Sequence, residues 1–175
     1  MKSSHATAAG NIKRELQKAF PGIKFSVKSK SFSMGDDVNV SWDLGPTTKE
    51  VDAIIGKYEM GSFDGMEDLY NYDHDPNREA FRKSHGETKY AMANRHIPDY
   101  VYAVIIKELC EEQHVPYEEP NHNLQLMGEW ASTWVHRIMG KVSFPAGAVV
   151  TGLSKTGCTC GLWEEFFNVE FKRAA

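Results

Sequence analysis

The sequence predicts an α+β fold: a helix, a β-hairpin and a second helix form one unit, and two long helices with a C-terminal strand pair complete a mostly antiparallel sheet. Three observations carry this. Phe25, Val27 and Ser29, then Val38, Val40 and Trp42, alternate with polar residues at the period of a strand with one buried face. Ile12, Leu16, Ala19 and Phe20 before them, and Val51, Ile54, Ile55 and Tyr58 after them, repeat at helical spacing. Two late runs, Ala148–Leu153 and Phe166–Phe171, read again as strands.

Residues 1–10 are small and polar and are expected to fray as a flexible N-terminus. From Asn11, a good N-cap, the first helix runs to the Pro21-Gly22 turn. The hairpin follows, its strands separated by the turn-prone segment 31–37. Thr47 and Glu50 have the spacing of a capping box that opens the second helix. The acidic, aromatic segment Gly61 to Asp75 reads as a loop that packs Phe63, Leu69 and Tyr70 onto the core, because Gly61 and Gly65 interrupt any long helix. Asn77 to His85 is expected as a short helix and Lys89 to Asn94 as a strand. Pro98 suits a first helical turn, and Tyr100, Val101, Val104, Ile105, Leu109 and Cys110 give the next helix its apolar face through Gln113. After the Pro116 and Pro120 connector, Asn121 or Asn123 can cap a helix carrying Leu124, Met127, Trp130, Ala131, Trp134 and Ile138. No repeat or linker appears, so residues 11–175 read as a single domain.

The chain has 175 residues, 41% of them apolar and 25% charged, enough for one sizeable core. No run approaches the roughly 18 consecutive apolar residues of a membrane span, and the first residues lack the apolar middle of a signal peptide, so a cytoplasmic protein with no membrane partner is expected. Net charge is −4, but it is segregated. Residues 1–34 hold seven Lys or Arg against Glu15, whereas residues 35–79 hold twelve acids against Lys49, Lys57 and Arg78. That asymmetry offers a basic face to phosphates and an acidic one to a basic partner, although a hairpin and helix can also bring both blocks together as ordinary surface pairs.

Lys24, Lys28 and Lys30 occupy even positions of the first strand and share a face opposite Phe25 and Val27, with Lys13, Arg14 and Lys18 on the preceding helix near enough to join them. Such a face contacts DNA or RNA phosphates without reading sequence. It lacks the aromatic platforms on which single-strand binders stack bases. Asp36, Asp37, Asp64, Glu67 and Asp68 form the corresponding acidic candidate for a protein partner. The carboxylates near Asp64 do not follow the ligand order of a calcium loop.

Three cysteines, two of them one residue apart, do not make a secreted disulfide framework. Cys158 and Cys160, with Cys110 and His114 at i and i+4, could compose a zinc site, but the pair lacks the C-x-x-C spacing, and no cofactor is expected. No nucleophile elbow, zincin motif or phosphate-binding glycine loop is present. His74 in its acidic run and His136, expected in the same helix as Trp130 and Trp134, read as solvated or packed side chains. An enzyme would need a non-standard site in which Cys158, Cys160, His74 or the Gly61–Met66 loop meets a base.

The run from Asn11 to Tyr70 resembles the large polyvalent protein-associated domain of type 29, found in proteins of phages, prophages and conjugative plasmids. The matching words are Phe20-Pro21-Gly22, Lys24-Phe25-Ser26-Val27, Ser33 with Gly35-Asp36, Val40-Ser41-Trp42, Gly45-Pro46-Thr47, and Gly61 with Phe63-Asp64-Gly65-Met66, with a weaker continuation from Gly161 to Phe167. The resemblance implies an α+β module in a mobile-element context and carries no catalytic residue onto this chain. The leading expectation is a non-enzymatic binding module acting on a host or defence protein through the acidic region. A nucleic-acid-binding accessory using the basic hairpin face is the alternative.

Overall fold

A computed structural model describes residues 3–117, 124–156 and 167–173. Their fold is mixed α/β, with five helices and mostly antiparallel small sheets. The chain divides into two compact units, residues 1–42 with 48–95 and residues 43–47 with 96–175.

In the first unit, β1 (Ser26–Phe32) and β2 (Gly35–Asp43) form the expected antiparallel hairpin, its turn tightened to Ser33 and Met34. The register sets Val27 against Val40 and Lys28 against Asn39, so apolar and polar residues separate cleanly onto two faces. Phe25, Val38, Val40 and Trp42 are buried, as the alternation requires. Onto that face α1 (Ser4–Ala19) lays Ala8, Ile12 and Leu16, and α2 (Thr48–Ile55) lays Val51 and Ile55. Each of the larger of these, Ile12, Leu16, Val51 and Ile55, contributes about 1.5–3 kcal/mol when fully buried. Tyr58, in a 3₁₀ turn after α2, buries its ring and donates its hydroxyl to Glu15 at 2.9 Å.

The N-terminal expectation is overturned. Residues 4–10 are helical, and Ala8 is completely buried. The reason lies far along the chain, at Gly86, whose φ is +86°. A Cβ there would come within 2.6 Å of the Ser4 oxygen and the Ala8 nitrogen, so only glycine lets the end of α3 (Pro76–His85) close on α1. The Glu87 amide then donates to the Ser4 hydroxyl at 2.9 Å.

The segment expected as a packed loop is a second hairpin, β3 (Gly61–Asp64) and β4 (Leu69–Tyr72). Phe63 and Leu69 are half exposed rather than packed on the core. Asp75 caps α3 by accepting from the Asn77 amide at 2.8 Å, and Pro76 takes the first helical position. Strand β5 (Tyr90–His96) completes the sheet in the order β1-β2-β5.

In the second unit, α4 (Asp99–Glu112) buries Val101, Ile105, Ile106, Leu109 and Cys110. The cap candidates Asn121 and Asn123 lie outside the described residues. A short hairpin, β6 (Gln125–Leu126) and β7 (Glu129–Trp130), comes first, and α5 (Ala131–Gly140) follows. Met127 and Gly128 both have positive φ, 51° and 81°, the requirement of a two-residue type I′ turn, so the helical spacing through Met127 and Trp130 is broken. The C-terminal pair appears as expected, β8 (Ala148–Lys155) antiparallel to β9 (Phe167–Arg173) with an irregularity between Val150 and Gly152. It is a separate two-stranded sheet and does not complete the first. No helix among the described residues is long and apolar enough to cross a membrane.

Candidate functional site

The outer face of the first sheet carries Lys28 and Lys30, and at its hairpin end it carries Phe32. Phe32 pairs with Gly35, which has no side chain, so its ring reaches past β2 and stacks on Tyr90 of β5 (centroids 6.4 Å, interplanar angle 14°). The space is narrow: a Cβ on Gly35 would lie 2.7 Å from Lys89 Cδ. Tyr90 meets Tyr70 edge to face at 5.5 Å, and Tyr70 meets Tyr72 at 4.9 Å, both favourable ring geometries. Phe63 is paired directly with Tyr70 in the second hairpin and shares its face. The result is a ridge of five rings drawn from four strands.

Lys89 threads the ridge. Its Nζ lies 5.0 Å from the Tyr70 ring and 5.5 Å from the Tyr90 ring, and donates to the Met34 carbonyl at 3.0 Å. Tyr70 donates its hydroxyl to the Lys89 carbonyl at 2.6 Å, and burial, reinforced by the nearby Glu59 carboxylate, pushes its pKa up to about 12. The outer end stays open: Phe63 is 52% and Tyr72 54% exposed, with Met34 and Met66 also exposed. Monomeric surfaces seldom leave so much apolar area in one place without a use for it.

Beside the ridge, Glu59, Gly61, Ser62, Asn71, Tyr72, Asp73 and Arg78 line a depression of about 400 Å³. Its two carboxyls are tuned in opposite directions. Burial raises Glu59, which accepts from the Ala91 amide at 2.8 Å. Asp73 is lowered, first by the Asp75 amide and then by Arg78 and Arg82. Arg82, 3% exposed, also donates to the Asp73 carbonyl at 2.7 Å and the Glu59 carbonyl at 3.2 Å, tying the foot of the second hairpin to α3.

The candidate residues fall into place unevenly. Lys24, Lys28 and Lys30 are exposed, but Lys13, Arg14 and Lys18 project from α1, which packs against the opposite face of the sheet. The six cations therefore do not form one surface. Asp36 has an internal task, accepting from the Thr88 hydroxyl at 2.9 Å and the Lys89 amide at 2.8 Å, and Asp37 sits opposite Lys30. Asp64 accepts from the Met66 and Glu67 amides and shapes the turn of the second hairpin. Glu67 and Asp68 stand exposed on that turn, at the end of the ridge.

Cys110 is buried, which raises its thiol pKa, while His114 is exposed beyond the end of α4 with φ +54°, so the two do not share a helix face. Cys158 and Cys160 lie outside the described residues. Among the described residues no group of three His, Cys, Asp or Glu could hold a metal ion. His74 is exposed, and His136 makes a 2.9 Å hydrogen bond with the Tyr102 hydroxyl. The expected lack of aromatic platforms fails at the hairpin end of the lysine face, where Phe32 and Tyr90 stack. The alternation Tyr70-Asn71-Tyr72 was the available signal for a strand with one aromatic face.

No curated protein and no solved structure matches the chain. Large polyvalent protein associated domain 29 matches residues 3–100, more than half of the 175 residues and all of those that build the ridge. The chain belongs to that family, and membership suggests a phage or mobile-element associated protein.

Proposed function

We propose that this chain is a binding module of a mobile element that acts in the host cytoplasm by docking a host or defence protein on the aromatic ridge, without catalysing a reaction. The ridge is the observation that carries the reading. Phe32, Tyr90, Tyr70 and Tyr72 are in mutual ring contact, Phe63 is the strand partner of Tyr70, and the ridge is left open at Phe63 and Tyr72, which gives rigid apolar area at little entropic cost on binding. Exposed Glu67 and Asp68 at its end favour a partner with basic residues around an apolar centre.

The test compares the wild type with the Phe63→Ser/Tyr72→Ser variant as immobilised bait in host lysate. Partner capture is expected to fall at least tenfold, with the thermal midpoint unchanged within about 2 °C because both side chains are surface residues. Undiminished capture would refute the ridge as the docking surface. A second reading, single-stranded nucleic acid, is favoured by one observation, Phe32 stacked beside Lys28 and Lys30. Binding of a labelled oligonucleotide that falls steeply with salt and is lost in Phe32→Ala would put that reading first.

A further inference from the structure

On the far layer of the first unit, Asn11, Arg14, Glu15 and Lys18 of α1 and His85 at the end of α3 line a second depression, of about 300 Å³. None of these residues belongs to the ridge. From their arrangement we infer that this depression binds a phosphate monoester.

The charge balance favours an anion. Three cations, Arg14, Lys18 and the adjoining Lys57, stand against one carboxylate, Glu15, and that carboxylate is already matched: one oxygen lies 2.5 Å from Lys57 Nζ, and the other accepts from the Tyr58 hydroxyl at 2.9 Å. Arg14 and Lys18 have no carboxylate within ion-pair distance among the described residues. The arrangement is also built. Asn11 donates through its amide nitrogen to the His85 carbonyl at 2.6 Å and accepts from Arg14 Nη2 with its amide oxygen, while Arg14 Nε points to the Gly10 carbonyl. One edge of the guanidinium is thus pinned in a side chain that lines the depression, and its planar fork suits phosphate oxygens.

His85 walls one side of the depression. Its ring stacks on Phe81 at 4.3 Å, and Nδ1 lies 3.1 Å from the Phe81 carbonyl and 2.7 Å from the Ser84 hydroxyl. At neutral pH a monoester is close to a dianion with three free oxygens, whereas a backbone phosphodiester carries one charge and two free oxygens, so Arg14 and Lys18 together favour the monoester.

The test uses ¹⁵N-labelled full chain at neutral pH with inorganic phosphate as the probe, then a 5′-phosphorylated and a 5′-hydroxyl single-stranded decamer. Saturable amide shifts are expected across Asn11–Lys18 and at His85. Arg14→Gln/Lys18→Gln is expected to weaken phosphate binding at least tenfold, and Lys107→Gln/Lys172→Gln in the second unit less than twofold. The 5′-phosphorylated decamer is expected to bind at least fivefold tighter than its 5′-hydroxyl counterpart. All four replaced side chains are exposed, so retained spectral dispersion separates lost binding from lost fold. Absence of saturable shifts, equal losses in the two variants, or equal binding of the two decamers would overturn the assignment. None of these readouts depends on the ridge or its partner.

Discussion

The first unit contains two antiparallel hairpins with opposite assignments. In β1–β2 the apolar alternation points inward, and Val38, Val40 and Trp42 are covered by two helices. In β3–β4 the same period-two pattern points its rings along the surface, and Phe63 and Tyr72 meet solvent. Alternation announces a strand with two unlike faces, but the helices that pack on it decide which face is core. The first hairpin holds the unit together, and the second, stabilised mainly by ring contacts and the Arg82 anchor, is available for recognition.

The sharpest way to break this contrast is to truncate one large ring in each hairpin. Trp42→Ala is expected to lower unfolding free energy by about 3–5 kcal/mol, whereas Phe63→Ala should change it by less than about 0.5 kcal/mol. Denaturant melts of both variants measure this, and similar losses would mean that the second hairpin is core after all. A smaller, local effect is expected from Gly61→Ala. A Cβ there would lie 2.0 Å from the Asn71 carbonyl oxygen, which is backbone and cannot step aside. Hydrogen exchange should show amides of residues 61–72 losing protection at least tenfold while those of β1 and β2 keep theirs.

The smallest effect concerns pH. The Asp73 carboxyl is held below its ordinary 3.8, so the folded state prefers the charged form. Its contribution is present above pH about 4 and is lost as pH falls through the folded value, where the unfolded chain already binds the proton. Exchange protection of residues 61–72 should therefore decline below pH about 4 in the wild type, and less steeply in Asp73→Asn. A decline of equal slope in both proteins would place the acid-sensitive anchor elsewhere.

Much of the scaffold was legible because its cues are local. The β1–β2 alternation, the Asp75-Pro76 start of α3, the apolar face of α4 and the C-terminal pair each depend on neighbours within a few residues. The start of α1 was not, because Ala8 is buried only where distant Gly86 allows close approach. The stretch before α5 misled because Leu124, Met127, Trp130 and Trp134 also fit a helix, and a single left-handed Met127-Gly128 turn overrides that spacing. The ridge was illegible for a related reason. Phe32, Phe63, Tyr70, Tyr72 and Tyr90 are scattered along the chain, and no local pattern says that a glycine opposite Phe32 opens the way to Tyr90.

The pentapeptide Asp43–Thr47 belongs to the second unit although residues on both sides of it belong to the first. Its Leu44 is buried among Ile97, Val101 and their neighbours, its amide donates to the His96 carbonyl, and the Gly45 carbonyl accepts from the Phe144 amide at 2.9 Å. The polypeptide therefore crosses between the units three times, and no single cut separates them. A fragment ended near residue 95 or 100, where the family match stops, would strand a greasy loop with its hydrogen-bonding groups unmet. Anyone excising the ridge-bearing half for crystallography or binding assays should first redesign Leu44 to a polar residue, or keep the chain whole.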